Sequence, residues 1–403
     1  MQLVVIIVAT RVLGNLFKRM GQPAVLGEIV AGVALGPSLL GWLFPQTMAF
    51  LFPAPSLETL KLLSQIGVAL FMFVVGLELN VTHLRQRAQT AIMVSHASIV
   101  VPFFLGVALS LWLYESLAPS HIGFTAFALF IGIAMSITAF PVLARILEDR
   151  QMSQTQLGSI ALTCAAVDDV TAWCLLAVVI AIAESASLSA SFLTIGLALA
   201  FILIMLLIVR PRLARFFNKR VEERPKKDQQ SRTLIGGVLI FVLASSLMTE
   251  VIGIHALFGA FLAGVVMPPI DSIRVPLQER FETFSAAALL PLFFAFTGLR
   301  MQLNLLNDWQ SWAIWAAVVA VAIAGKLGAS MLMARWTGMN WRNSFALGAL
   351  MNTRGLVELV VLNIGYDLGI LSARLFAMLV LMAFVTTMMT GPLLSVVRAD
   401  KQG

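Results

Sequence analysis

Two adjacent aspartates are the residues of this sequence best placed to do chemistry. Asp168 and Asp169 lie in LTCAAVDDVTAWCLLAVVIAIA, residues 162 to 183, a stretch otherwise apolar enough to cross a bilayer. A carboxylate at the bilayer centre costs about 2.5 to 3.5 kcal/mol or more, so intramembrane acids mark ion pathways, proton relays or counter-charges. Successive side chains on a helix diverge by about 100°, so the two cannot serve one ligand equally. The economical arrangement pairs one of them with a cation of the chain and turns the other toward a cavity. Lys326, in AIAGKLGAS, is that cation, since no carboxylate lies near it in sequence. Desolvation penalises the charged form of a cavity-facing carboxylate. A proton or a small cation can neutralise it, and each excludes the other. Exchange follows from that competition.

Three further ionisable residues fall within apolar runs. Arg354 and Glu358 are four apart on one face of a helix, where a structural pair outweighs a transport role. Glu28 sits among Gly27, Gly32 and Gly36 and reads equally as an entrance carboxylate or as a packing residue. His96 and His255 read as packing or interfacial residues ahead of pH sensors, and His83 and His121 as loop residues. Cys164 and Cys174 lie ten apart on one helix, about 15 Å, too far to bridge.

The elements that must position these groups are membrane helices. Of 403 residues, 60% are apolar and 12% charged, with a mean hydropathy of +0.94, outside the soluble range of about 25% charged. A span needs about 20 apolar residues. The expected fold is all-α and integral to the membrane, with thirteen transmembrane helices near 1–17, 24–43, 59–79, 88–114, 121–147, 156–184, 190–210, 233–250, 255–270, 284–302, 309–334, 342–366 and 371–397. Met1 leads straight into the first span, and no cleavable signal peptide is evident.

A net charge of +7 raises no nucleic-acid partner here, because its placement follows the bilayer. The loops after odd-numbered spans, with the C-terminus, hold 21 of the 27 Lys and Arg, including Lys18, Arg19, Arg85, Arg87 and nine between Arg210 and Arg232. The other side holds Arg300 and Arg374, while Arg11, Lys61, Lys326 and Arg354 fall within or beside spans. Cytoplasmic loops are enriched in Lys and Arg, so the expected orientation is N-terminus outside and C-terminus cytoplasmic. VEERPKKDQQ, residues 221 to 230, reads as a solvated cytoplasmic connector before a regulatory contact.

An internal repeat organises the spans. AVLGEIVAGVALGP (24–37) aligns without a gap on ALFGAFLAGVVMPP (256–269), and FVVGLEL (73–79) on AFTGLRM (295–301). Spans 2 and 3 thus echo spans 9 and 10, and the odd offset of seven crossings makes the repeats inverted in topology. The offset maps span 5, with Pro141 in SITAFPVLAR, onto span 12, with Asn352, Thr353, Arg354 and Gly355 in MNTRGLVELV. Both read as broken helices, although Pro141 alone is equally compatible with a plain kink. Unwound backbone at membrane depth is tolerated where it lines a protein-enclosed cavity.

GQPAVLGEIVAGVALGPSLLG (21–41), FMFVVGLELN (71–80), SITAFPVLARIL (136–147), AAVDDVTAW (165–173), GKLGA (325–329) and NTRGLVELVVLNIG (352–365) resemble the second branch of the monovalent cation:proton antiporters, which includes bacterial Na+/H+ antiporters and plant cation/H+ exchangers. The resemblance covers nearly the whole chain. It implies two crossing broken helices, a homodimer and an elevator-like motion. It also implies a division into dimerisation halves at 1–87 and 233–308, core halves at 88–184 and 309–403, and a linker helix with a cytoplasmic loop at 185–232. By position, Asp169 resembles the residue binding Na+ or K+, Asp168 its partner paired with Lys326, and Thr138 part of the crossing-helix site. An Asp-Asp pair with a lysine resembles the electrogenic members.

The expected function is secondary active Na+/H+ antiport, with no enzymatic activity and no cofactor, in a multi-pass protein of a bacterial cytoplasmic membrane. The alternatives are K+/H+ exchange on the same fold, cation:solute symport, a channel, and an intramembrane enzyme holding a magnesium-phosphate site on the aspartate pair.

Overall fold

The computed structural model describes residues 1–78, 88–152, 155–184, 188–222 and 229–399. His83, Arg85, Arg87, Lys401 and residues 223–228 of the polar connector lie outside the described residues. Within them every regular element is helical, as expected where backbone amides and carbonyls cannot reach water and must pair within their own segment.

Nine segments are long and apolar enough to cross a membrane among the described residues. A tenth is the pair Trp341–Met351 and Leu356–Asp367, bent by 41° and counted as one. Three other segments were expected to span. Gln2–Arg19 (α1) carries Arg11, Lys18 and Arg19. Phe124–Ser136 and Phe140–Asp149 form an interrupted pair, and Ala256–Val265 has only 10 residues. Ten residues rise about 15 Å, half the hydrocarbon thickness. Pro268 and Pro269 follow after Val266 and Met267, and proline cannot continue a helix ladder.

Two compact units divide the chain: one of residues 1–57, 84–176 and 294–403, the other of 58–83 and 177–293. The first holds α1, α2 (Ala24–Leu35) and most of the chemistry-bearing helices. The second holds most of α3 (Ala54–Glu78).

Glycines set close helix contacts in both units. In the first, a Cβ on Gly32 would lie 2.0 Å from the Ala295 carbonyl oxygen, and one on Gly298 2.3 Å from that of Ile29. In the second, a Cβ on Gly264 would lie 2.2 Å from the Phe73 carbonyl oxygen, and one on Gly76 2.2 Å from that of Phe261. These are corresponding positions of the two aligned motifs. The same backbone-to-backbone approach is built twice from the same residue spacing.

The further helices follow in chain order. They are α4 (Ala88–Leu117), α5 (Phe124–Ser136), α6 (Phe140–Asp149) and α7 (Gln156–Glu184), then α8 (Ala256–Val265), α9 (Leu290–Leu299), α10 (Trp309–Ile323), α11 (Ala329–Trp336), α12 (Trp341–Met351), α13 (Leu356–Asp367) and α14 (Ala373–Ala399). A π-helical turn, Ala324–Gly328, joins α10 to α11.

The first interruption is not at Pro141 itself. Non-helical residues 137–139, of which Ile137 is extended, separate α5 from α6, and Pro141 falls in the first turn of α6. Proline fits there because first-turn amides have no intrahelical acceptor. The second interruption runs from Asn352, the C-cap of α12, to Gly355, whose φ of 173° is extended. A Cβ on Gly355 would lie 2.5 Å from Val142 Cγ2. The two interruptions meet: the Ala139 amide donates to the Thr353 carbonyl at 3.2 Å.

Candidate functional site

The Asp168 carboxylate is fully buried and carries four hydrogen bonds. Ser95 Oγ donates to Oδ1 at 2.6 Å, while Oδ2 accepts from Ser98 Oγ at 2.6 Å, Thr138 Oγ1 at 2.8 Å and Lys326 Nζ at 3.0 Å. Lys326, also fully buried, donates to Thr138 Oγ1 at 2.6 Å. The three groups therefore close a triangle. A buried ion pair is tolerated only when its remaining valences are satisfied, and here hydroxyls from α4 and from the first interruption satisfy them.

Local sequence explains how Lys326 gets there. Its π turn adds a residue to the helix and re-aims the side chain, a device frequent at functional sites. Gly325 lets the turn close on α4, since a Cβ there would lie 2.8 Å from Pro102 Cβ.

Asp169 is a different kind of acid. Its exposure is 1%, yet neither carboxylate oxygen has a hydrogen-bond partner among the protein's described groups. The backbone amide of Phe140, first residue of α6, faces it, though outside hydrogen-bond geometry. The partial positive charge of a helix N-terminus favours an anion. One acid is thus saturated and its neighbour is bare.

Arg354 closes the other end of the first interruption. Its Nη1 donates to the Ala134 carbonyl at 2.7 Å and to Glu358 Oε1 at 2.8 Å, and its Nη2 to the Met135 carbonyl at 2.8 Å. Those carbonyls end α5, where the helix dipole is negative. Thr353 Oγ1 lies 3.1 Å from Thr390 Oγ1, and Asn352 Nδ2 reaches the Thr386 carbonyl at 3.5 Å. Thr138 also lies 3.4 Å from the Met351 carbonyl, which ties the two interruptions to the aspartate.

Not every sequence-predicted residue joins this cluster. Glu28 is half-buried on α2, with its Cγ near Gly14 of α1 and within electrostatic reach of Arg11 and Lys18. No described contact carries it to Asp169. Cys164 is buried and Cys174 exposed, and both are free. Ser95 and Ser98 went unremarked in the sequence. Their signal was spacing: an i, i+3 pair on one face of α4.

Residues 3–398 match the family described as sodium/hydrogen exchanger, transmembrane. The chain belongs to that family. It is 45% identical over 392 residues to the Na+/H+ antiporter NhaS4 of Synechocystis sp., covering 97% of this chain and 95% of that protein. To cation/H+ antiporter 17 of Arabidopsis thaliana it is 39% identical, over 98% of this chain and 47% of that protein. To K+/H+ antiporter 1 of Saccharomyces cerevisiae it is 34% identical, over 95% of this chain and 44% of that protein. The chain therefore spans about half the length of those plant and yeast relatives. A solved structure of the sodium proton antiporter MjNhaP1 from Methanocaldococcus jannaschii at pH 8 shares the fold, with a TM-score of 0.62 at 13% identity, covering 98% of this chain and 94% of that one.

Proposed function

We propose that this chain is a secondary active monovalent cation/proton antiporter in which Asp169 is occupied alternately by a proton and by a cation. The observation that carries the reading is the contrast within the aspartate pair. Asp168 is committed to Lys326 and three hydroxyls, whereas Asp169 is buried with both oxygens unpartnered. A buried charge without a partner is too costly to persist, so Asp169 needs a proton or a cation, and either neutralises it for passage.

Sodium is the cargo favoured by the 45% identity to a protein named a Na+/H+ antiporter. Potassium is the second reading, favoured by the yeast relative named a K+/H+ antiporter. The magnesium-phosphate enzyme reading loses one of its two ligands, because Lys326 and the hydroxyls already occupy Asp168.

In the same reading the interruptions at 137–139 and 352–355 are crossing broken helices within thirteen spans, arranged as inverted repeats. The twofold recurrence of the glycine contacts supports the repeat. Core halves at 88–184 and 309–403 then carry Asp169 past dimerisation halves at 1–87 and 233–308 in an electrogenic, elevator-like homodimer. The membrane is a bacterial cytoplasmic one, with the C-terminus inside.

The test is proton movement in proteoliposomes carrying a pH-sensitive dye, with Na+, Li+ and K+ added in turn. Wild type moves protons against at least one of them. Asp169→Asn abolishes the signal and remains folded, and Lys326→Gln alters the pH dependence or the charge moved per cycle. Silence of the wild type with all three cations overturns the reading.

A further inference from the structure

We propose that Ser95 and Ser98 are positioning residues for exchange, holding the Asp168 carboxylate against Lys326 so that Asp169 alone is left to carry cation or proton. The inference rests on the antiporter reading above and adds two residues to it.

The two hydroxyls grip different atoms. Ser95 reaches Oδ1, while Ser98 joins Thr138 and Lys326 on Oδ2. Without Ser95 every bond falls on one oxygen, and the carboxylate can swing about its own Cβ–Cγ axis. With it, both oxygens are fixed. Hydrogen bonds to a charged acceptor are roughly twice as strong as neutral ones, and both serines are fully buried, so water does not stand in for them.

Ser98 has a second acceptor within reach, the Ser95 carbonyl at 2.9 Å. Its single hydrogen can move between that carbonyl and Asp168, so Ser98 can release the carboxylate without being orphaned. Four residues on, Pro102 lies inside α4. Lacking an N–H, it leaves the Ser98 carbonyl without its i→i−4 bond. Pro102 is also the surface on which Gly325 packs, so one stretch of α4 carries both serines and seats the turn that bears Lys326.

The ionisable groups acting on Asp168 and its lysine are Asp169 and Cys164 on α7, Lys326 itself, Arg354 within the second interruption and Glu358 beyond it. Of these only Lys326 hydrogen-bonds to Asp168. The serines are, with Thr138, neutral donors to it, and their removal changes its environment without adding or deleting a charge.

The experiment uses the full chain in proteoliposomes, with Na+ or K+ as the driving cation according to which the wild type accepts, across a range of pH. Ser95→Ala, Ser98→Ala and the double variant are compared with Ser95→Thr and Ser98→Thr, which keep the hydroxyl. With fewer donors the Asp168 carboxylate is held less firmly against Lys326, and the loosened ammonium opposes the cation at Asp169. The double variant is expected to need a pH about one unit more alkaline for half-maximal exchange, or roughly tenfold more cation at fixed pH. The threonine variants are expected to stay near wild type. Should the double variant fail to fold, Ser95→Ala alone tests the Oδ1 contact, with cation-induced thermal shift in detergent as a readout independent of transport. A wild-type pH profile and cation requirement in the alanine variants overturns the proposal, whatever their yield. Absence of wild-type exchange overturns the antiporter reading itself, so the two failures are distinct.

Discussion

Lys326 Nζ donates to Thr138 Oγ1 at 2.6 Å, and that bond decides where the threonine hydrogen points. A hydroxyl has one hydrogen. With the ammonium on its oxygen, Thr138 is left to donate to Asp168 Oδ2 at 2.8 Å. Thr138 is thus both a second acceptor for the lysine and the third hydroxyl donor for the aspartate. Thr138→Val keeps the shape and deletes both bonds, leaving a buried ammonium one acceptor short, at a cost of about 1 to 3 kcal/mol or more. The expected outcome is a lower melting temperature in detergent and roughly tenfold weaker apparent cation affinity in proteoliposome exchange, the equivalent of about 1.4 kcal/mol, with Thr138→Ser close to wild type. Equal behaviour of the valine and serine variants would contradict the relay.

Arg354 joins three acceptors from two segments, so its removal does more than break a pair. Arg354→Met strands the Glu358 carboxylate and uncovers the Ala134 and Met135 carbonyls at the end of α5. Removing one partner of a buried pair costs about 3 to 5 kcal/mol. The double variant Arg354→Met/Glu358→Leu deletes both charges and should recover part of that loss, but not all, because the carbonyls stay uncapped. Thermal unfolding of the two singles and the double, read as a double-mutant cycle, measures the split. Full recovery in the double would show that the carbonyl contacts contribute nothing.

The residues that stood out in the sequence did so because each was an outlier against its surroundings. A lysine and two adjacent aspartates in apolar runs are costly, and the structure brings Lys326 and Asp168 together. The glycine motifs were legible as a repeat because backbone-to-backbone contact admits only the smallest side chain. Ser95 and Ser98 were not outliers, since a serine in a membrane helix ordinarily bonds its own preceding carbonyl. Pro141 points to the interruption from beside it, because proline is tolerated in the first turn of the helix that follows a break, and the non-helical residues 137–139 lie just before. The π turn at Ala324–Gly328 left no signature in AGKLG, and the short reach of α8 was visible only as Pro268 and Pro269.

Asp308 supplies a pH test outside the spans. It caps α10, accepting from the Ser311 amide at 3.3 Å and from Arg374 Nη2 at 2.8 Å, and it also accepts from the Ser311 hydroxyl. The Ser311 hydroxyl bond, followed by the Arg374 charge, holds its carboxyl below the ordinary 3.8. A folded value below the unfolded one gives stability that is fully present above the unfolded value and is lost as pH falls through the folded one. Asp308→Asn should therefore lower the melting temperature at about pH 6, and the gap from wild type should narrow as the pH falls below 3.8. A gap that widened in acid would reverse the sign of the argument.

The recurrence of the glycine contacts can be tested by asking whether the cost of breaking them recurs too. Gly298 on α9 and Gly76 on α3 hold corresponding places in the two motifs, and a Cβ on either would lie 2.3 Å and 2.2 Å from a carbonyl oxygen of the facing helix. No rotamer relieves such a clash, because the obstructing atom is backbone. The helices must move apart, and overpacking of this kind typically costs about 1 to 3 kcal/mol. Gly236 is the control, since nothing lies within 4 Å of its added Cβ. Gly76→Ala and Gly298→Ala should each lower the melting temperature by similar amounts, whereas Gly236→Ala should hold or raise it through the better helix propensity of alanine. A large loss at one of the paired positions and none at the other would mean that the shared spacing no longer performs the same packing in both halves.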